Sequence, residues 1–308
     1  MSYLAKYFQR NSALIRKRVN LLRNILPNPV IKRLKSISEY TNRSLKNTVD
    51  INYKSKYRNI FHCALQKTGT QWMYDVLSDP IVYKYSGMDV EKFNVPRRKS
   101  QAHPIRSLDS TVSKNTIVSC VSGTYENFVE DIPKGEGDNA VLFVIRDPRE
   151  MIVSWYFSTK DNHLVGSASM MHVHRNKLRK MSKKDGLKYS IELFDWKGKF
   201  EVMRSWMDKG YMESVKIVKF EDLTQNSFSC FRDLFDFMDI KIPKSELTNL
   251  TTSYSFETLT GREKGEEDKL SHMRSGKSES WRQHFDDDLT DLFNKKARDI
   301  VEGYEYEI

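Results

Sequence analysis

The feature that most constrains the fold of this chain is an apolar run, residues 60–65, followed at once by a lysine, a glycine and two threonines. Such a run predicts a buried strand, and Gly69 permits a tight turn into a helix. The backbone amides at the start of that helix, the helix dipole and the Lys67 ammonium all favour an anion at this point. The sequence therefore predicts a strand, a turn and a helix that bind a phosphorylated ligand.

This run differs from the phosphate-binding loop of kinases and GTPases. That loop, GxxxxGK[ST], requires glycines at two positions that are Phe61 and Gln66 here. No aspartate at a strand end is obvious as a magnesium ligand, so we expect protein cations to hold the anion. Taken alone, the run is also consistent with an ordinary strand-to-helix turn that carries a surface lysine.

A second apolar run, residues 140–145, also ends in cations. It predicts a fully buried strand, and Pro148 suits the first turn of a helix that follows. Arg146 then lies at the strand tip and Ser154 two turns into the helix. An arginine fork with a nearby hydroxyl suits a terminal phosphate.

A third segment, residues 261–285, is basic, contains several glycines and is poor in apolar residues until its end. This composition is typical of a mobile loop that becomes ordered around an anion. The alternative is a solvated surface loop, because charged runs commonly face water.

Together the three segments resemble the sulfotransferases that use 3'-phosphoadenosine-5'-phosphosulfate (PAPS), both cytosolic enzymes and bacterial sulfotransferase-domain proteins. QKTGTQW, which begins at Gln66, resembles their 5'-phosphosulfate loop KSGTTW. VIRDPREMIVSWYF, from Val144, resembles the 3'-phosphate motif with its arginine and its serine eight residues later. RSGKSESWRQHF, from Arg274, resembles the C-terminal RKGxxGDWKxxF segment. The resemblance runs from about Arg58 to the C-terminus.

The resemblance implies a set of residues that contact the nucleotide. The 5'-phosphate would be held by Lys67, Thr68, Gly69, Thr70 and Gln71. The adenine would stack on Trp72 and lie beside Tyr254 and Phe256. The 3'-phosphate would be held by Arg146, Ser154, Arg274, Ser275 and Gly276.

Two positions depart from the family pattern. Phe220 stands where the family has a tyrosine whose hydroxyl would face the nucleotide. The stretch 117–128 has no histidine, whereas cytosolic members carry their general base there in a segment like KTHLP. Other branches of the superfamily use a glutamate, so our candidate base is Glu126, with His103 and Asp89 as alternatives.

Sulfuryl transfer leaves negative charge on the bridging oxygen of the departing nucleotide phosphate. Lys67 is placed to neutralise that charge, which makes it our first candidate for a catalytic role. No metal is required by this reasoning.

The order of apolar strands and helical patterns predicts the fold class. Strands are expected at residues 60–65, 117–121, 140–145 and 215–219, with amphipathic helices between and after them. This alternation predicts a three-layer, P-loop-like α/β fold with a central parallel sheet flanked by helices. Ligands of such sheets bind at the carboxyl ends of the strands, where Lys67 and Arg146 both fall.

The basic character of the chain is concentrated at its N-terminus. Eleven Lys/Arg against two Asp/Glu give residues 1–50 a net charge of +9, out of +10 for the whole chain. Apolar residues recur at helical spacing between Leu14 and Leu26, so we predict two regions, a basic amphipathic helical extension (1–55) and a sulfotransferase domain (56–308). The helix would bind an anionic membrane surface or pack on the domain. No aromatic-interleaved basic platform follows, so we expect no nucleic-acid partner.

Other features bear on the cellular compartment. Three cysteines that lie far apart are expected to be buried reduced thiols, and no Cys/His cluster suggests a metal. No apolar run approaches the length of a membrane span, and no signal-peptide core is present. We therefore expect a cytoplasmic protein, peripheral at most on the inner face of a membrane.

The sequence favours a PAPS-dependent sulfotransferase, but it leaves the acceptor and the oligomeric state open. A saccharide, a lipid-linked acceptor and a small alcohol or phenol all fit; Arg97, Arg98 and Lys99 hint at an anionic one. Two other functions stay open, a catalytically silent nucleotide-binding or membrane scaffold protein and a magnesium-dependent P-loop kinase.

Overall fold

The computed structural model describes residues 49–93, 112–131, 138–162, 170–268, 271 and 273–308. The amphipathic N-terminal helix expected between Leu14 and Leu26, His103 and the cluster 97–99 lie outside these ranges. Five strands form the centre of the described part of the chain. Their bounds are β1 (Asn59–Ala64), β2 (Asp89–Lys92), β3 (Thr116–Val121), β4 (Asn139–Ile145) and β5 (Val215–Lys219).

The five strands form one sheet in the order β2-β3-β1-β4-β5, and every neighbouring pair is parallel. The predicted parallel α/β fold is confirmed, and the four predicted strands lie within a residue of their expected bounds. Strand β2 was not predicted. Its sequence, DVEK, is charged and mostly exposed, because it lies at the sheet edge where no apolar pattern is required.

Helices cover both faces of the sheet. In chain order they are α1 (Thr70–Leu77), α2 (Pro80–Lys84), α3 (Tyr125–Asp131), α4 (Pro148–Phe157), α5 (Met170–Arg179), α6 (Lys183–Trp196), α7 (Lys199–Trp206), α8 (Phe220–Gln225), α9 (Ser227–Phe237), α10 (Lys244–Ser253), α11 (Phe256–Thr260) and α12 (Asp287–Gly303). A short π-helix (Ser158–Asn162) extends α4, and two 3₁₀ turns span Met207–Tyr211 and Ser280–Gln283. None of the helices in the described ranges has the length and apolarity needed to cross a membrane.

The alternation of side chains along β1 creates two hydrophobic cores. Phe61 and Cys63 pack with α4, α6, α7 and α12 on one face, whereas Ile60 and Ala64 pack with α1, α2, α9 and α10 on the other. The sheet is therefore the middle of three layers, and its strands are apolar on both sides. The cores hold the carboxyl ends of β1, β3 and β4 in fixed register.

One polar side chain lies inside β1. His62 is fully buried, and its Nδ1 is 2.8 Å from the Ser119 hydroxyl of β3. Burial lowers the pKa of His62 to about 3, so the imidazole is neutral at physiological pH. The three cysteines are free: Cys63 is buried as expected, but Cys120 and Cys230 are only partly buried.

Candidate functional site

The turn after β1 has the backbone of an anion cradle. Lys67 (φ 77°) and Gly69 (φ 75°) both lie in the left-handed region, and α1 begins directly afterwards at Thr70. Thr68 between them is 1% exposed, and its hydroxyl donates to the Leu65 carbonyl at 2.8 Å. The turn is thus fixed from inside, and the first amides of α1 lie at the carboxyl edge of the sheet.

Phe220, the first residue of α8, closes one side of this turn. A Cβ at Gly69 would lie 2.4 Å from the Phe220 ring, so a larger residue does not fit there. The same ring meets Trp72 edge-on at a centroid distance of 6.0 Å and lies 4.9 Å from the Arg146 guanidinium. The position that differs from the family pattern therefore packs against the cradle through its ring.

Arg146 links the ends of β1 and β4. Its Nη1 donates to the Lys67 carbonyl at 3.0 Å, and its Nη2 lies 3.2 Å from a carboxylate oxygen of Glu150. Its Nε is buried without a hydrogen-bond partner, and the closest carboxylate, that of Glu221, is 3.9 Å away. A buried guanidinium nitrogen in that state can still donate to an anion.

Arg274 reaches the same place from the C-terminal segment. Its guanidinium donates to the Ser280 hydroxyl at 2.7 Å and to Glu267 at 2.9 Å, and it lies 4.8 Å from the centre of the Phe157 ring. Burial lowers the pKa of Arg274, and the positive charge of Arg146 lowers it further. Two partly buried arginines therefore converge beside the cradle.

Glu150 joins the two arginines to the C-terminal segment. It is 1% exposed, and its carboxylate accepts from the Trp281 amide at 2.7 Å, the Ser280 hydroxyl at 3.1 Å and Arg146. Sequence reasoning missed this residue. The signal was its spacing of four residues after Arg146, which brings the two side chains together at the start of α4.

The remaining predicted residues lie around the same edge. Ser154 is half-buried on α4, one turn after Glu150. Gly276 has a φ of 65°, and a Cβ there would lie 2.7 Å from the Phe256 ring. The Trp72 indole donates to the Tyr254 carbonyl at 2.8 Å, which ties α1 to the end of α10.

Arg262 shapes the C-terminal segment and was also missed by sequence reasoning. Its guanidinium donates to the carbonyls of Arg274 at 2.8 Å and Glu266 at 2.7 Å, and it lies 5.2 Å from the Phe256 ring centre. The Gly265 amide donates to the Ser275 carbonyl at 2.7 Å. These bonds hold Arg274, Ser275 and Gly276 in place, and the only sequence signal for Arg262 was its position in a basic loop.

Comparison with known families identifies the domain. A family model described as "Sulfotransferase domain" matches residues 58–304. The chain belongs to this sulfotransferase domain family.

Curated sulfotransferases match part of the chain. Sulfotransferase 2A6 of Mus musculus is 22% identical over 173 residues, which cover 53% of this chain and 57% of that protein. The 3-alpha-hydroxysteroid sulfotransferase of Cavia porcellus is 26% identical over 174 residues, with 53% and 56% covered. The chain thus matches little more than half the length of these relatives.

A solved structure supports the fold. The crystal structure of mouse sulfotransferase SULT7A1 complexed with PAP aligns with a TM-score of 0.53 at 17% identity, covering 82% of this chain and 88% of that one. The likeness shows that this chain has the sulfotransferase fold.

The carboxyl ends of β3 and β2, which lie on the other side of β1 from Arg146, carry a different set of side chains. Lys92, at the end of β2, donates to the Gln71 side-chain oxygen at 2.7 Å, and the Gln71 amide nitrogen donates to Asp75 at 3.1 Å. Cys120, the second-last residue of β3, lies at a bulge with a φ of 70°, and burial raises its pKa. Both polar atoms of the Gln71 side chain therefore have protein partners.

The candidate bases are placed differently by the structure. Glu126 is exposed in the first turn of α3, shortly after the carboxyl end of β3. Asp89 begins β2 in register with Thr116 and Asn59, so it lies at the amino edge of the sheet, opposite Lys67. The structure therefore places Glu126, but not Asp89, on the cradle side of the sheet.

The aspartate after β4 has a structural role. Asp147 caps α4 and pairs with Arg149 at 2.8 Å. Within the described ranges, no group of three or more His, Cys, Asp or Glu side chains is arranged to hold a metal ion.

Proposed function

We propose that the chain is a PAPS-dependent sulfotransferase that transfers a sulfuryl group to an acceptor hydroxyl without a metal. The observation that carries this proposal is the convergence of Arg146 and Arg274 beside the Lys67–Thr70 cradle, with a buried arginine nitrogen that lacks a hydrogen-bond partner. One anion at the cradle and a second at the two arginines is the charge pattern of a nucleotide with phosphates at both its 5' and 3' positions.

The donor set fits such a nucleotide. The amides of residues 68–71 and the Lys67 ammonium would hold the 5'-phosphate, and Arg146, Ser154, Arg274, Ser275 and Gly276 the 3'-phosphate. The adenine would lie against the aromatic cluster of Trp72, Tyr254 and Phe256. Phe220 would offer it a ring face without a hydroxyl.

In the proposed reaction, PAPS is the donor and two residues of the chain assist the transfer. PAPS supplies the sulfuryl group and a phosphate leaving group. Lys67 would stabilise the charge that develops on the bridging oxygen, a form of preorganised electrostatic stabilisation. Glu126 would accept the proton of the acceptor hydroxyl.

The acceptor is proposed only by chemical class. The curated name of the Cavia porcellus relative mentions a hydroxysteroid, which favours testing small hydrophobic alcohols first. Phenols, saccharides and lipid-linked hydroxyls belong in the same screen. We place the enzyme in the cytoplasm. Residues 1–50 carry a net charge of +9, so they would attach it to an anionic membrane surface.

The first experiment compares the melting temperature of the protein with PAP (PAPS without its sulfuryl group) and with ATP plus magnesium. We expect stabilisation by PAP alone that is lost in Arg146→Ala and kept in Arg232→Ala, a control at an exposed arginine of α9. Stabilisation by magnesium-ATP and not by PAP would contradict the proposal and favour the kinase.

A second step separates an enzyme from a silent binding protein. Labelled PAPS is incubated with the acceptor panel, and label transfer is measured for the wild type and Lys67→Ala. Transfer by the wild type alone supports the enzyme. A PAP response without transfer to any acceptor class would favour the scaffold protein.

A further inference from the structure

A second concentration of positive charge lies within the domain, on the hairpin formed by α5 and α6. Residues 170–198 contain eight Lys/Arg against three Asp/Glu, a net charge of +5. The remainder of residues 51–308 carries 32 Lys/Arg against 36 Asp/Glu, or −4. The charge of the domain is therefore strongly asymmetric, and the hairpin is its basic pole.

The acidic residues of this hairpin are largely compensated. Glu192 and Asp195 both pair with Lys296 of α12, at 3.1 and 2.6 Å. Among the hairpin's cations, Lys184 is paired with Asp286 and Asp288. The surplus on the hairpin surface thus comes from the other basic side chains, which include Lys177, Lys180 and Lys183.

The exposed line of α5 combines apolar and basic side chains. Met170, Val173, Lys177 and Lys180 follow one another at helical spacing and all face solvent. Met170 is 65% exposed and Val173 56%, whereas His174 and Leu178 on the opposite face are buried. The solvent-exposed face of α5 is therefore apolar at its N-terminal end and basic at its C-terminal end.

The end of α6 adds a third exposed apolar side chain to the hairpin. Trp196 is 78% exposed, and the next residue, Lys197, lies 3.4 Å from the imidazole of His174. That contact places the end of α6 beside the buried face of α5. The hairpin thus exposes a methionine and a valine on α5 and a tryptophan at the end of α6, together with several lysines.

We infer that the α5–α6 hairpin docks the domain on an anionic lipid surface. Exposed apolar side chains would enter the headgroup region while lysines contact anionic headgroups, as in interfacial amphipathic helices. A soluble polyanion would engage the lysines, and the bases of a nucleic acid would stack on Trp196, but it would gain nothing from the aliphatic Met170 and Val173. The protruding apolar side chains therefore favour a membrane over a polysaccharide or a nucleic acid.

The hairpin is also bonded to the far end of α4, the helix that carries part of the candidate site. Arg175 of α5 donates to the Thr159 carbonyl at 2.9 Å, and Arg179 to the Lys160 carbonyl at 3.3 Å. Both carbonyls belong to the π-helix that continues α4, the helix that carries Glu150 and Ser154. Docking through the hairpin would therefore hold that end of α4 close to the lipid surface.

The test is co-sedimentation of the full chain with vesicles of phosphatidylcholine alone or mixed with phosphatidylserine. We compare Lys177→Glu/Lys180→Glu with Lys244→Glu/Lys295→Glu, a pair of exposed lysines on α10 and α12 with the same change in net charge. The hairpin pair should weaken binding to the mixed vesicles at least about tenfold, and the control pair much less. Equal weakening by both pairs would overturn the inference and assign binding to residues 1–50.

A second variant tests the apolar contribution. Met170→Ser/Val173→Ser should also weaken vesicle binding, with no change in its dependence on salt concentration. If this variant binds vesicles as well as the wild type, and soluble heparin or RNA abolishes that binding, the inference is overturned and the hairpin binds a soluble polyanion instead. The PAP-induced rise in melting temperature, measured on every variant, verifies that each one is folded.

Discussion

The two halves of the sheet's carboxyl edge differ in how firmly their side chains are held. At β4 and β5, Arg146 and Glu150 are largely buried, and besides each other they have partners from three other segments of the chain. At β3 and β2, Lys92 and Glu126 are exposed, and β2 is only four residues long. The charged side chains of the first half are held by buried contacts, whereas those of the second half are exposed to solvent.

This difference suggests a division of labour within the proposed enzyme. A rigid site suits a ligand that never changes, because preorganised donors need no rearrangement when charge develops. Exposed groups on a short edge strand tolerate substitution, so they suit the side that selects the acceptor. The comparison predicts large effects of mutation on one half and small effects on the other.

The largest effect is expected at Lys67. Lys67→Ala should lower turnover by about 10² to 10³-fold, equivalent to about 3 to 4 kcal/mol of barrier, because the neutral alanine cannot offset the charge that develops on the bridging oxygen. The measurement is label transfer under saturating PAPS, with Lys244→Ala as a surface control. Turnover within a factor of ten of the wild type would show that Lys67 does not stabilise the transition state of sulfuryl transfer.

A somewhat smaller effect is expected at Glu126. Glu126→Gln should lower kcat about 10²-fold, because the amide cannot accept the proton of the acceptor hydroxyl. Glu130→Gln, at a second exposed carboxylate of α3, is the matched control. An unchanged kcat would show that another group, such as His103, is the base.

Next in size is the loss of nucleotide affinity in Arg274→Ala. Charge-assisted hydrogen bonds contribute about 1.5 to 3 kcal/mol, so the Kd for PAP should rise about 10 to 150-fold. Calorimetric titration measures it, with Arg232→Ala as the control. If Arg274 serves only the internal bonds to Glu267 and Ser280, the melting temperature will fall and the Kd for PAP will stay the same.

The smallest effect is expected at Lys92. Lys92→Ala releases the Gln71 side chain, but this exposed contact contributes little, about 0 to 1 kcal/mol. We expect a change of at most about fivefold in the KM for the acceptor and none in the Kd for PAP. A loss of PAP binding as large as that of Arg274→Ala would abolish the distinction between the two halves.

The elements that the sequence predicted and the one that it missed also differ in burial. The strands β1, β3, β4 and β5 were predictable because burial on both faces imposes continuous apolar runs. The start of α4 was predictable because Pro148 and the preceding aspartate are local signals. Strand β2 was not, since an exposed edge strand needs no apolar residues.

Within the site, local signals identified the cradle but not its supports. Gly69 and Lys67 act through the backbone of a single turn, so a short motif reveals them. Glu150 and Arg262 act through partners that are distant in sequence or are backbone carbonyls, which leave no pattern in side-chain spacing. The roles of the predicted nucleotide contacts and of Glu126 stay predictions until the variants are measured.

The bonds that support the site also set the time at which it can form during synthesis. Glu150 accepts from an amide 131 residues further along the chain, and Trp72 donates to a carbonyl 182 residues away. At about 5 to 20 residues per second, the ribosome needs roughly 7 to 26 s to extend from Glu150 to Trp281. The turn after β1 therefore leaves the ribosome well before Trp281 is synthesised, and a growing chain cannot assemble the proposed nucleotide site until residues 274–281 have emerged.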